Sequence, residues 1–323
     1  MNPYMLQNTM QGRMSEKMQR FEDDLMKPLD QMMGRMLDAV DGKDTEEKTR
    51  NFNLYMIKKH GLERNRVFFV RDKVRKEAKK DQDVADKMWS EFTKKKEALG
   101  NSLRSGSIRL DEYYKELDEW IRANVDDKYQ PGEHDYSGMH GMYGIVSKKS
   151  PYDDKAVLDE VMSTEANMEG MSSGSVKDFW SMVHAATKFS LYEDYANGFQ
   201  TQQTFKRVAG MFDWYVPMRK FDETTAEDVY GYVAENNGKD NFIGSVLMAA
   251  KGRKSLSNVN VLAQIGSMGN WAIARGGQNL VKQAFMRYVR EKGGQGLVTE
   301  TKVWLEKKGV DANEALAKCT GTY

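Results

Sequence analysis

Between Met14 and Val40 apolar side chains recur at steps of three and four, at Met14, Met18, Phe21, Leu25, Met26, Leu29, Met32, Met33, Met36, Leu37 and Val40. That spacing draws one stripe along an α-helix. Pro28 falls inside the stripe, where it has no amide hydrogen to donate and its ring crowds the carbonyl one turn back, so the helix is expected to kink or divide there. Asp41 and Gly42 end the pattern, and the charged run 43–50 reads as a solvated connection or as the start of the next helix. After a turn at Ser105, Gly106 and Ser107, a second stripe (Leu110, Tyr113, Tyr114, Leu117, Trp120, Ile121, Val125) predicts another amphipathic helix. Its aromatic rings share that stripe with Leu117 and Ile121, which makes them core residues rather than a platform for nucleic-acid bases.

The pattern is less regular elsewhere. From Lys58 to Lys80 ten Lys and Arg residues stand against only Glu63, Asp72 and Glu77. The simplest reading is a solvated helical face that buries Phe68, Phe69 and Val74, with contact to a polyanion as the rival. The run 67–70 taken alone is also consistent with a short buried strand. Further on, one or two helical turns are expected over 155–162, a polar break over 170–175, and a longer helix over 175–195 carrying Phe179, Trp180, Val183, His184, Thr187 and Leu191. His184 among those aromatic neighbours reads as a packed, hydrogen-bonded residue. The stretch 212–219 is expected to be extended before Pro217, a buried joint between helices, followed by a helix starting at Thr224 or Thr225 and closing near 236–238.

Composition extends the helical reading to the whole chain. Only five prolines occur in 323 residues, and long intervals lack them altogether. The fold expected is mainly α, an irregular multi-helix assembly with at most short strands. Three regions are expected: an N-terminal helical region 1–128, a Gly- and Pro-rich connector 129–151, and a C-terminal helical region 152–323. The 22 methionines suit adaptable helix packing. With one cysteine and four histidines, neither an internal disulfide nor a multi-cysteine zinc site can form, and a reducing, intracellular compartment follows. No apolar run reaches the length of a membrane span, and residues 1–18 lack the apolar block of a signal peptide.

Candidate chemistry is sparse. The connector carries His134, Asp135 and His140 beside Glu133, residue types that bind divalent metals or move protons, and a metal-dependent enzyme built on them is one alternative. Their spacing matches no metal motif, and a mobile polar connector is the preferred reading. No P-loop, His-Glu-x-x-His site or Gly-x-Ser-x-Gly elbow occurs. No catalytic residue, metal or cofactor is therefore assigned.

The strongest local signal is electrostatic. The chain balances 49 basic against 48 acidic residues, which excludes a surface that grips nucleic acid all over. Yet residues 241–290 contain no Asp or Glu, while Lys251, Arg253, Lys254, Arg275, Lys282, Arg287 and Arg290 lie among small and apolar residues. The periodicity suggests helix, break, helix: Val261, Leu262, Ile265 and Met268 form one buried stripe, Leu280, Val281, Ala284, Phe285, Tyr288 and Val289 another, and Arg275-Gly276-Gly277 is the turn between them. Asn279, Lys282, Met286 and Arg290 can share an outer face. Arg253, Lys254, Ser255, Arg275, Lys282 and Arg287 are the candidate nucleic-acid contacts, positioning residues rather than sequence readers. The rival is a structural joint held by hydrogen bonds from Arg253, Ser255, Asn258 and Asn279.

Two segments also resemble a module of the large polyvalent proteins of bacteriophages and conjugative elements. Trp214-Tyr215-Val216-Pro217, continuing to Glu223, is similar to that family's aromatic-Tyr-Val-Pro segment. Gly252-Arg253-Lys254-Ser255, with Asn258, Leu262, Ala263, Arg275, Asn279, Val281 and Ala284, is similar to its Gly-Arg-x-Ser segment and following helix. The likeness is most specific over 212–290 and weaker in Tyr55–Asn65 and Asp135–Gly138. It implies a non-catalytic accessory or connecting module, located in the bacterial cytoplasm or, if packaged, in the virion. The implied partners are other domains of a larger polyprotein, other phage or mobile-element proteins, and DNA or RNA. The chain departs from the family in carrying none of the enzymatic parts of those giants, and would be the end of a longer reading frame or a separate remnant. A virion cargo protein ejected with the genome is the further alternative.

Overall fold

A computed structural model describes residues 3–136, 153–171, 176–217 and 260–291. The described residues are mostly α-helical and include no strand, as the periodicity predicts. In chain order the helices are α1 (Pro3–Phe21), α2 (Lys27–Met36), α3 (Thr45–Glu77), α4 (Gln82–Arg104), α5 (Leu110–Asn124), α6 (Asp154–Met171), α7 (Val176–Ala196), α8 (Gln202–Ala209) and α9 (Val261–Glu291). Among the described residues no helix is long and apolar enough to cross a membrane.

Local chemistry accounts for several boundaries. The division expected at Pro28 appears as a π-helical turn, Glu22–Met26, immediately before α2. The wider turn accommodates a proline that can neither donate to nor pack against a regular preceding turn. Asp44 caps α3 by accepting from the Glu47 amide, Asp81 caps α4 by accepting from the Asp83 and Val84 amides, and Thr201 caps α8 through the Thr204 amide. The charged run 43–50 is therefore a cap and a first helical turn. At α5 the Arg109 amide donates to Glu112 Oε2 at 2.9 Å. Helix α6 is longer than the turn or two expected, reaching Met171 with Val157, Val161 and Met168 buried.

The chain divides into two compact units, each assembled from separated stretches. One comprises residues 1–27, 186–210 and 266–323, and the other 28–185 and 211–265, so each draws on both sides of the connector 129–151. In the larger unit α3 packs against α4 and α6, and α4 against α5. Its core joins Phe52, Met56, Leu62 and Phe68 of α3 to Phe92 of α4, Tyr113 and Leu117 of α5 and Phe179 of α7. In the smaller unit the rings of Phe21 and Phe189 stack at 4.9 Å, and Met268, Ala272, Ile273 and Val289 of α9 are buried.

Two sequence expectations are overturned. Residues 67–70 lie within α3, and the solvated face expected over 58–80 is found only towards the end of the helix, where Arg75 and Lys76 are exposed: from Phe52 to Val70 only Leu54 is not buried, and Lys58, Lys59, Arg64 and Arg66 are among the buried residues. Acids distant in sequence neutralise Lys58, Lys59 and Arg66, which no local pattern reveals. Residues 261–291 form one helix, with no break at Gly276 and Gly277. The glycines serve close approach instead. A Cβ on Gly269 would fall into the Phe21 ring, one on Gly276 into the Asn197 side chain, and one on Gly277 against Met14.

Candidate functional site

The polar chemistry of the larger unit is gathered on α3. One helical turn separates Leu62 from Arg66, and the Leu62 carbonyl accepts from Arg66 Nη1 at 2.9 Å. The same guanidinium makes a paired contact with Asp118 of α5, Nε to Oδ1 and Nη2 to Oδ2, both at 2.7 Å. Nη1 and Nη2 also reach Asp154 of α6 at 3.2 and 2.8 Å. All five N–H donors are thereby used. The cation lies 4.3 Å from the centre of the Tyr114 ring, and the Tyr129 hydroxyl donates to Asp118 at 3.2 Å. Burial acts to lower the Arg66 pKa, but Asp154 and Asp118 more than offset it and the net direction is upward. Burial pushes the Asp118 carboxyl up while Arg66 opposes the rise.

One turn earlier, Glu63 joins α3 to the segment before Pro217. It accepts the Asp213 amide at 2.7 Å and the Trp214 amide at 3.0 Å. Lys96 of α4 lies 2.7 Å from Glu63 and 2.8 Å from Asp213, and Arg104 approaches Asp213 at 3.2 Å. Burial raises the Glu63 pKa against the pull of Lys96, whereas Asp213, also next to Lys96 and Arg104, is held below its ordinary value despite its burial. Around Trp214, Tyr113 packs edge-on at 5.5 Å and Lys59 lies 4.9 Å from its ring, while Met211, Phe212, Val216 and Pro217 are buried. His60 stands edge-on between Phe212 and Tyr215 at 5.0 and 5.4 Å. Burial lowers its pKa well below the usual value, so its ring is neutral at physiological pH.

A third cluster lies one turn before His60. Tyr55 donates to Glu165 of α6 at 2.6 Å and accepts from the indole of Trp180 at 2.8 Å. Lys59 pairs with Glu165, and Lys58 with Glu160. The larger unit is thus fastened by charges that satisfy one another, an arrangement suited to fixing helix register. Sequence reasoning missed Glu63, Arg66, Lys96, Asp118, Asp154 and Asp213 as a set. The one available signal was the absence of a clean apolar stripe in 58–66, and it named no partner.

The connector supports less chemistry than its residue types suggest. Tyr129, its first residue, is buried in the core. The exposed His134 ring lies over Phe69 at 6.1 Å and near Tyr136 at 6.0 Å. His140 falls outside the described residues. Among the described residues no group of three His, Cys, Asp or Glu could hold a metal ion.

In the smaller unit the acid-free candidates separate into two kinds. The guanidinium of Arg275 meets Asp194 at 2.9 Å and lies 3.8 Å from the Phe199 ring and 4.3 Å from Trp271. Asn279 donates to the Asn197 carbonyl at 2.8 Å. Both therefore fasten α9 to the end of α7. Lys282 and Arg287 instead face solvent, with no ion-pair partner among the described residues. The expected second buried stripe is mostly open: Phe285 is 49% exposed, and Leu280 and Tyr288 are exposed as well, leaving Val289 buried. Arg253, Lys254, Ser255, Gly252 and Asn258, with the helix expected from Thr224, lie outside the described residues.

No protein-family model, curated protein or solved structure matches the chain.

Proposed function

We propose that this chain is a non-catalytic helical module of a phage or mobile-element protein, serving as a connecting element that contacts nucleic acid through the open end of α9. The observation that carries the reading is the fate of the basic residues on that helix. Arg275 is consumed by Asp194, while Lys282 and Arg287 remain in solvent on a helix whose first acidic residue is Glu291. Such cations lower the free energy of phosphate contact by releasing counterions, without reading sequence. The accessory role is supported by the mutual saturation of the buried charges on α3, which commits Arg66, Lys96 and their carboxylates to holding helices together.

The reading is tested by measuring affinity for duplex and single-stranded DNA across a salt series, for the parent chain and for Lys282→Gln with Arg287→Gln. Each phosphate contact removed is expected to lower the salt slope by about 0.7–0.9. Affinity insensitive to both salt and substitution would overturn it.

A further inference from the structure

The smaller unit carries a second basic and aromatic surface, outside the acid-free segment 241–290. Residues 186–210 contain two acids, Glu193 and Asp194, and both are buried and paired inward, with Lys17 and Arg275 respectively. What this stretch turns to solvent is consequently cationic: Lys188, Lys206 and Arg207 are exposed, with no ion-pair partner among the described residues. The same stretch carries a cluster of rings. Tyr195 and Phe205 stack at 5.3 Å with their planes 20° apart, and Tyr192 meets Phe205 edge-on at 6.2 Å. Tyr192 is 52% exposed, far more than a core tyrosine requires, and Lys188 lies one turn before it on the same face of α7.

From this juxtaposition we infer that the ligand is a single-stranded polynucleotide, with Tyr192 as a base-stacking residue and Lys188 and Lys206 as its phosphate contacts. The inference rests on the nucleic-acid reading above and specifies its substrate class. In a duplex the base faces are covered by their neighbours, so an open ring has no face to meet. Unpaired bases offer theirs, whatever their sequence, while nearby cations follow the backbone. Burying both acids serves the same end, because an outward carboxylate beside the rings would repel phosphate. Glu193 and Asp194 instead bind α1 and α9, so the contacts that assemble the unit leave residues 186–210 with no outward carboxylate.

The test uses the full chain with a labelled oligothymidylate, an oligouridylate and a duplex of equal length, at low and physiological salt. Tyr192→Leu keeps the apolar bulk and removes the ring, Tyr192→Phe keeps the ring, and Lys188→Gln with Lys206→Gln removes the charges. Helical content and melting temperature check that each variant folds. Single strands are expected to bind more tightly than duplex. Tyr192→Leu should weaken single-strand binding by roughly 5- to 150-fold at an unchanged salt slope, with Tyr192→Phe close to the parent. The lysine pair should lower the slope. The two oligonucleotides tell whether DNA, RNA or both are accepted, since stacking alone admits either. Duplex bound as tightly as single strands, or Tyr192→Leu without effect while Lys282→Gln still weakens binding, would overturn the single-strand inference and leave the nucleic-acid reading standing. No binding to any probe at low salt would overturn both.

Discussion

Replacing Arg66 by Met removes the cation that neutralises two buried carboxylates while keeping much of the side chain's length. Asp118 and Asp154 would then share the interior with no opposite charge in contact, a situation that costs about 3–5 kcal/mol in buried pairs broken on one side. For a unit built from residues 28–185 and 211–265, each kcal/mol corresponds to roughly 2–4 °C, so the midpoint of its thermal transition should fall by roughly 6–20 °C. The loss should also depend on pH. Burial already raises the Asp118 pKa, and removing Arg66 deletes the main opposing influence. A carboxyl whose folded pKa lies above its unfolded value contributes stability that declines as pH rises between the two, so the deficit of the variant should be smaller in acid than at neutrality. Replacing all three residues, with Arg66→Met, Asp118→Leu and Asp154→Leu, should recover most of the loss, because the carboxylates are no longer stranded. Calorimetry across pH for the single and triple variants checks this. A single variant losing less than about 1 kcal/mol, or a triple variant no better than the single, would refute the view that Arg66 acts by neutralisation.

Two further outcomes concern the smaller unit. Gly269→Ala should destabilise it despite alanine's better helix propensity, because the new methyl must displace the Phe21 ring, whereas Gly266→Ala, whose Cβ would meet its nearest neighbour at an ordinary 3.5 Å, should stabilise by about 0.5–1 kcal/mol. Opposite signs in denaturant melts check the packing of α9, and equal signs would count against it. Asp194, raised to about 6 by burial against the pull of Arg275, should make folding progressively less favourable as pH rises from about 4 to about 6, by at most about 3 kcal/mol. The stability difference between Asp194→Asn and the parent should therefore shift in favour of the variant across that window, and a constant difference would mean that Asp194 titrates normally.

Helices with one apolar stripe were legible because their burial follows from their own residues. The stripe of 14–40, the division at Pro28, and the helices over 110–125 and 175–195 all follow from spacing and from proline stereochemistry. The candidate site was only partly legible. A run free of acid pointed to α9, but not to which of its cations remain available. Arg275 and Lys282 lie two helical turns apart in similar surroundings. What separates them is Asp194 on another helix.

The sequence by itself determined that this protein is mainly helical, where the helices over 110–125 and 175–195 and the division at Pro28 fall, and where positive charge is locally unopposed, because propensity, spacing and charge are properties of neighbouring residues. The tertiary structure alone decided which charges are spent and which remain. Lys58, Lys59 and Arg66 read as surface cations until acids from other parts of the chain enclose them. Gly276 and Gly277 read as a turn until neighbouring side chains occupy the space their missing Cβ atoms leave. In each case the deciding partner is far away in sequence, and burial of charge or close backbone approach is favourable only once that partner is in place.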